Sequence, residues 1–362
     1  MTGTSLDAVD MAVLDTDGEA IAGFGPAGER KLSDETRALV LQATSEARAW
    51  PRGAPEPASF GPAALAVTRE HLLAGEAFLA GCGLGWRDLD LIGMHGQTVL
   101  HERPGPGRAG RTVQLGEGGW LARTTGVPVA FDFRSADMAA GGQGAPLAAI
   151  YHLARLRASA EALPAAVLNI GGVANITLVD GEGGLSAFDT GPGNGMIDLL
   201  VQARGRGRYD DGGRLAAAGR VDERVLAALL DDPYFRAPPP KSLDRYDFPL
   251  DALQALSLED AAASLVAFTA AAVRCGLAHA REPPSSLIVT GGGRRNPQIM
   301  RALAERLTAP VRAAEAAGWR GDSIEAEAFA YLAARTARGL PISFPATTGV
   351  QAPAAGGRIA AP

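Results

Sequence analysis

Lysine, cysteine, aromatic residues and long apolar runs are all scarce in this 362-residue chain. Lys31 and Lys241 are the only lysines, so its positive charge is carried almost wholly by arginine, a bias that base composition accounts for. Cys82 and Cys275 lie far apart with no histidine at metal-ligand spacing, which fits a reducing compartment better than a disulfide framework or a zinc site. The most apolar windows, Leu163 to Val179 and Ala261 to Val273, are too short or too interrupted to span a bilayer. No basic segment precedes an apolar stretch near the start, where Asp7, Asp10 and Asp15 stand instead, so no signal peptide is expected. A net charge of −6 argues against nucleic acid as a partner. These absences predict a cytoplasmic protein with small-molecule partners, no nucleic acid and no membrane.

What the chain has is apolar material and glycine. Hydrophobic residues make up 47% of it, enough for buried cores, and its length suggests about two domains of ~150 residues. With that apolar content, 46 glycines and 24 prolines belong to folded structure rather than to disorder. Short apolar runs at Val9 to Leu14, Leu89 to Met94, Val127 to Phe133, Ala166 to Ile170 and Leu287 to Thr290 predict strands. Helical patterns cover Glu35 to Ala49, Pro62 to Ala80, Ala145 to Leu156, Val221 to Leu230, Leu258 to His279 and Ile324 to Ala337. In the fifth, Leu258, Ala262, Leu265, Phe268, Ala272 and Cys275 recur at helical spacing and predict one core face. The class is α/β.

Four glycine turns bring hydroxyl or amide groups with them: Thr2 to Asp7, Asn169 to Asn175, Phe188 to Asn194 and Thr290 to Asn296. Glycine at a strand end lets backbone N–H groups approach an anion, and neighbouring Thr or Ser adds donors. Any one of them is adequately explained as a tight turn without a ligand. None matches a Walker A loop or a dinucleotide fingerprint. Four in one α/β chain suggest a nucleotide gripped from two lobes.

Several blocks resemble those of the anhydro-N-acetylmuramic acid kinases. They are Met1-Thr2-Gly3-Thr4-Ser5-Leu6-Asp7-Ala8-Val9-Asp10, His95-Gly96-Gln97-Thr98, Asp132-Phe133-Arg134 with Asp137, Gly141 to Leu147, Phe188 to Asn194 and Ile324 to Ala330. They follow the family's order along nearly the whole chain. The resemblance implies a two-lobed actin/hexokinase/Hsp70-like fold, of the duplicated ribonuclease H-like kind, with a cleft between lobes. The expected division is an N-terminal lobe 1–132 joined by segment 339–362, and a second lobe 133–338.

By the same resemblance the activity is ATP-dependent opening of 1,6-anhydro-N-acetylmuramic acid by water with phosphorylation of O6. The products are N-acetylmuramate 6-phosphate and ADP, in peptidoglycan recycling. Asp189 is then the general base that activates water. ATP contacts fall to Gly3, Thr4, Ser5, Leu6, Asp7, Ala8, Val9 and Asp10, to Gly171, Gly172 and Asn175, and to Gly291, Gly292, Gly293 and Asn296. Sugar contacts fall to His95, Gln97, Arg134, Asp137, Gln143 and Glu325, with Arg134 as partner for the lactyl carboxylate. Mg²⁺ is expected to bridge the phosphates, with Asp7 and Asp189 as candidate contacts, directly or through water. A homodimer is a further expectation from the family.

Plainer roles are open for the same residues. Asp189 suits a turn-initiating aspartate, Arg134 and Asp137 an i,i+3 ion pair, His95 a strand-end core histidine, and Glu325 a helix N-terminus. His101, in its Pro-flanked loop, reads as exposed. A kinase for another amino sugar and an inactive sugar- or nucleotide-binding regulator are the competing functions. Two departures from the family pattern matter. Met1 falls at the motif's methionine, so the strand leading into the phosphate turn either begins upstream or is short, and a short strand is expected to impair ATP binding. Residues Pro240 to Phe248 replace the family's Pro-Lys-Ser-Thr-Gly-Arg-Glu-x-Phe, keeping Lys241 and Arg245 but with Asp244 for Gly and Tyr246 for Glu.

Overall fold

The computed structural model describes residues 1–3, 6–105, 107–243 and 247–362. The chain forms two compact units, Met1–Ala158 with Glu325–Pro362, and Ser159–Ile324. The sequence-based boundaries at 132/133 and 338/339 therefore differ from the observed ones. Apolar packing explains the difference: Phe133, Leu147 and Ile150 share one core with Ala130 and with Phe329, Leu332 and Ala333. That core ties segment 133–158 and the helix after 324 to the first unit.

The first unit opens with an antiparallel hairpin, β1 (Ala8–Thr16) and β2 (Ile21–Lys31). Helix α1 (Asp34–Ala49) follows, started by Ser33, whose hydroxyl accepts the Thr36 N–H while Asp34 and Glu35 favour the positive helix end. It packs through Val40, Ala43 and Ala47 on α2 (Phe60–Gly81), which offers Ala63, Val67 and Ala74. Next come β3 (Ile92–Gly93), the hairpin β4 (Gln97–Glu102) and β5 (Arg111–Leu115), α3 (Gly118–Thr125), and β6 (Val129–Phe131), which runs parallel to β3. Helices α4 (Ser135–Ala139) and α5 (Ala149–Ala158) complete this stretch. Helix α5 starts later than the Ala145 of its sequence pattern because Pro146 lacks an N–H and disfavours helix at the residue before it.

The second unit is built on the meander β7 (Ala165–Ile170), β8 (Val173–Val179) and β9 (Leu185–Pro192). Helices α6 (Gly195–Ala203), α7 (Arg214–Ala218), α8 (Glu223–Leu230) and α9 (Leu258–Leu277) follow, then β10 (Leu287–Thr290), α10 (Pro297–Arg306) and β11 (Val311–Ala313). The sheet order is β11-β10-β7-β8-β9, with β7, β10 and β11 parallel and β8 antiparallel to its neighbours. This is the ribonuclease H-like order of an actin/hexokinase/Hsp70-type lobe. Helix α9 is long and apolar enough to cross a membrane, and it exceeds the window read from sequence, but 78% of its most apolar 18-residue stretch is buried. It is core on nearly every side rather than on one face: Ala261, Ala263, Val266 and Ala270 are buried along with the periodic positions, Cys275 excepted.

The chain returns to the first unit with α11 (Ile324–Ala337), whose first residue is the last of the second unit, and ends with β12 (Arg358–Ala360), antiparallel on β6. Here the expected duplication is partial. The described strands form three separate sheets, β1-β2, β4-β5 and β12-β6-β3.

Four histidines of this unit are held neutral. Burial pushes His71 down to about 3, His101 and His152 to about 4, and His95 well below the usual imidazole value. In the unfolded chain each takes up a proton near pH 6.5, so the unfolded state binds more protons and stability rises with pH. The contribution is full above pH 6.5 and is lost as pH falls from there toward 4 and 3. Each histidine accounts for about 1.4 kcal/mol per pH unit in that window. Thermal melts from pH 7 to 4.5 should therefore show a steep drop in midpoint; a flat profile would contradict the burial.

Candidate active site

In the second unit the glycine turns meet at one edge of the sheet, the carboxyl ends of β7, β9 and β10, where open α/β sheets bind ligands. The turns brace one another. Gly193 and Gly195 donate to the Gly172 carbonyl at 3.0 Å each, and Asn194 donates to Gly171 at 2.7 Å. A side chain at Gly193 would sit 2.3 Å from the Gly171 carbonyl oxygen, so only glycine allows this approach. Gly291, at φ +72°, is equally confined, with Asn169 Oδ1 2.3 Å from where a Cβ would stand. The Gly171 N–H is taken by Val173, whereas Gly172 is exposed. Asn296 caps α10 by accepting from Gln298 and Ile299, so its side chain serves the helix. Arg294, buried, holds the Gly291 carbonyl and pairs with Glu315 and Asp322, which stiffens the turn.

Asp189 lies on β9 beside this edge, directly across from Asn175 on β8. The ladder shifts register between Ala174 and Asn175, leaving Thr190 as an extra residue on β9. Such a bulge re-aims the neighbouring side chain. Asp189 is then fixed by a loop: its N–H donates to the Lys241 carbonyl at 3.0 Å, its Oδ2 accepts the Leu243 N–H at 2.7 Å, and the Tyr234 hydroxyl donates to its carbonyl. Lys241 ties the loop to itself, donating to the Tyr234 carbonyl at 2.9 Å with its ammonium 4.7 Å from the Tyr234 ring centre. Burial lowers its pKa. Sequence reasoning noticed Lys241 but gave it no role. Asp244, Arg245 and Tyr246 lie outside the described residues.

The first unit gathers the proposed sugar residues. His95 is buried, its ring centre 4.4 Å from that of Phe329 with the planes tilted by 41°, and it bonds the Gly96 carbonyl through Nδ1, which must therefore carry the proton. Its Nε2 is left as acceptor for the Arg134 guanidinium at 3.1 Å. Arg134 also donates to the Gly144 carbonyl at 2.7 Å, and Asp137 accepts the Gly144 N–H at 2.6 Å. Arg134 and Asp137 thus clamp one glycine, in place of the i,i+3 ion pair open to them in the sequence. Burial lowers the Arg134 pKa, against the opposing charges of Glu325 and Asp137. The hydrogen bonds of Arg134 all go to neutral acceptors.

Buried polar atoms without partners among the described residues mark the same neighbourhood: Gln97 Oε1, His101 Nε2, Asp137 Oδ2 and Thr348 Oγ1. The Thr348 carbonyl accepts the Gln143 N–H at 2.7 Å. His101 is half-buried rather than exposed, with Nδ1 on the Thr112 hydroxyl. Sequence reasoning missed His101 and Thr348, and no local pattern distinguishes them. Glu325 is exposed at the start of α11.

The N-terminal turn is partly described. Leu6 adopts φ +54° and donates to Gly3, Asp7 is exposed, and burial raises Asp10 to about 7. Thr4 and Ser5, expected phosphate contacts, lie outside the described residues. Asp7 and Asp189 belong to different units, and no group of three or more metal-ligating side chains occurs among the described residues.

A ribonuclease H-like sheet with glycine turns at the carboxyl ends of its strands and a loop-locked aspartate defines the class, an actin/hexokinase/Hsp70-type α/β protein. A family model described as anhydro-N-acetylmuramic acid kinase matches residues 1–361, and the chain belongs to that family. It is 68% identical over 362 residues to an anhydro-N-acetylmuramic acid kinase of Phenylobacterium zucineum, covering all of this chain and 98% of the relative. To one from Caulobacter vibrioides it is 69% identical, covering 99% and 97%. Among solved structures, an activator of 2-hydroxyisocaproyl-CoA dehydratase from Clostridium difficile aligns over 92% of each chain at 12% identity and TM-score 0.43.

Proposed function

We propose that this protein is the ATP-dependent kinase that opens the 1,6-anhydro ring of 1,6-anhydro-N-acetylmuramic acid with water and phosphorylates O6, in recycling of peptidoglycan fragments. The observation that carries the reading is Asp189, a carboxylate at the nucleotide-type edge of the sheet, held by backbone bonds from the 234–243 loop. Asp189 takes a proton from the water that attacks C1. The C1–O6 bond breaks, and O6, released as the ring opens, accepts the γ-phosphoryl group, leaving ADP.

The Gly3 to Asp10 turn and the exposed Gly172 serve the phosphates, and Gly291 to Gly293 the adenosine. Arg134, oriented by His95 and Gly144, takes the lactyl carboxylate. Gln97, His101, Asp137 and Thr348 offer the unpartnered polar atoms that sugar hydroxyls and the acetamido group satisfy. Either carboxylate, Asp7 of the first unit or Asp189 of the second, offers hard oxygens of the kind Mg²⁺ takes, and Mg²⁺ held chiefly by the phosphates would neutralise their charge. Glu325, at the start of α11, adds negative charge that partly offsets the burial of the Arg134 guanidinium.

Incubation with Mg-ATP and the anhydro sugar in ¹⁸O-water tests the reading by mass spectrometry. The expected product carries one ¹⁸O at C1 and a phosphate on O6. Phosphorylation of N-acetylglucosamine but not of the anhydro sugar would favour the other amino-sugar kinase, and tight binding without turnover would favour a regulator.

A further inference from the structure

A parallel ladder links two segments by a fixed pattern. A residue's N–H donates to the carbonyl one place before its opposite number, and its own carbonyl accepts from the N–H one place after. Asp189, on the edge strand β9, starts this pattern with Ser242: its N–H donates to the Lys241 carbonyl at 3.0 Å. The pattern breaks at its second bond. The Leu243 N–H, due at the Asp189 carbonyl, goes to the carboxylate Oδ2 at 2.7 Å, and the carbonyl accepts the Tyr234 hydroxyl at 2.5 Å.

The exchange of partners has a chemical effect. A main-chain N–H that would only have extended the sheet fixes the rotation of the carboxylate instead, because a phenol has taken its backbone acceptor. Regular pairing is the competing arrangement. Were the Tyr234 hydroxyl withdrawn, the Asp189 carbonyl would need a donor, and the Leu243 N–H is the adjacent one.

We propose that Tyr234 and Lys241 are positioning residues: the Tyr234 hydroxyl occupies the Asp189 carbonyl, which leaves the Leu243 N–H to aim the carboxylate, and the Lys241 ammonium holds Tyr234 there. The inference rests on Asp189 as the base.

Tyr234 is held from several sides. Its N–H is capped by Asp232 Oδ1 at 2.8 Å, and the next residue, Phe235, is buried, stacked on Phe248 and edge-on to Phe268 of α9. From the other arm of the loop, beyond Pro238 to Pro240, Lys241 reaches back to donate to the Tyr234 carbonyl at 2.9 Å. The same ammonium lies 4.7 Å from the Tyr234 ring centre and 5.7 Å from that of Phe188, the buried residue just before Asp189. Lys241 therefore ties both arms together. Its carbonyl holds the Asp189 N–H, and its side chain holds the residue whose hydroxyl holds the Asp189 carbonyl. It is one of two lysines among 34 basic residues, and the place uses what an ammonium offers, a compact charge that turns toward a carbonyl between two ring faces.

Lys241→Met and Tyr234→Phe, each alone and each combined with Asp189→Asn in the full chain, test the proposal through kcat, KM and the thermal midpoint. Alone, each is expected to lower kcat about 10- to 100-fold, the cost of a carboxylate misplaced by about 1 Å. KM for Mg-ATP and for the anhydro sugar should change less than about threefold, because the loss falls on the chemical step. With Asp189→Asn already present, neither should lower the residual turnover by more than about twofold, since the group they aim is gone. Equal fractional losses with and without the Asp189 carboxylate, the result of a merely structural role, would overturn the proposal. So would a kcat within about twofold of the original in both single variants. Should Lys241→Met fail to fold, Tyr234→Phe, which removes one oxygen, decides by the same comparison. Near-normal turnover in Asp189→Asn alone would remove the base and this proposal with it, whereas loss there with none in the loop variants would remove the positioning only.

Discussion

Asp189→Asn should lower turnover about a thousandfold while leaving ATP and sugar affinities close to those of the unaltered protein. The reasoning starts from what the substitution keeps. The backbone bonds of residue 189 to Lys241 and Tyr234 do not involve the side chain, and an asparagine amide oxygen can still accept the Leu243 N–H. What is lost is the basicity needed to take a proton from water. Initial rates of ADP release, calorimetric ATP affinity and the thermal midpoint together separate the chemical effect from misfolding. A turnover within tenfold of the original, with an unchanged midpoint, would remove Asp189 from the role of base.

Arg134→Lys should weaken apparent affinity for the anhydromuramyl sugar about 10- to 100-fold, with little change in KM for ATP. The guanidinium reaches the His95 ring and the Gly144 carbonyl at once, and its planar fork suits a carboxylate. An ammonium on a flexible stem cannot hold both neutral partners and still meet a carboxylate through two bonds. A sugar that lacks the lactyl group should lose nothing from the substitution. Unchanged affinity for the muramyl sugar would refute the pairing.

Much of the architecture was legible where periodicity is strong. Helices α1, α2, α8, α9 and α11 lie where apolar spacing placed them, because each buries one stripe or more against a core. Strands β8 and β9 were not read as strands, since their glycine turns drew attention from the alternation along Val173 to Val179. The bulge at Thr190 was illegible for a different reason: it is a property of pairing between two strands, and one strand's sequence carries no register. The residues of the candidate site came from motif resemblance. Their physical partners, such as Leu243 with Asp189 or Gly144 with both Arg134 and Asp137, are set by chain reversals that local patterns do not encode. The boundary at 158/159 was missed because it is fixed by the core that Phe133 shares with α11, some two hundred residues downstream.

The bulge on β9 also sets a ruler. Between Asp189 and Gly193 the chain must spend one unpaired residue and still deliver Gly193 against the Gly172 carbonyl. A one-residue insertion or deletion in this span would either turn the carboxylate to the opposite face of the sheet or pull the two glycine turns apart. The distance in sequence between the aspartate and its following turn is therefore as constrained as the identity of either.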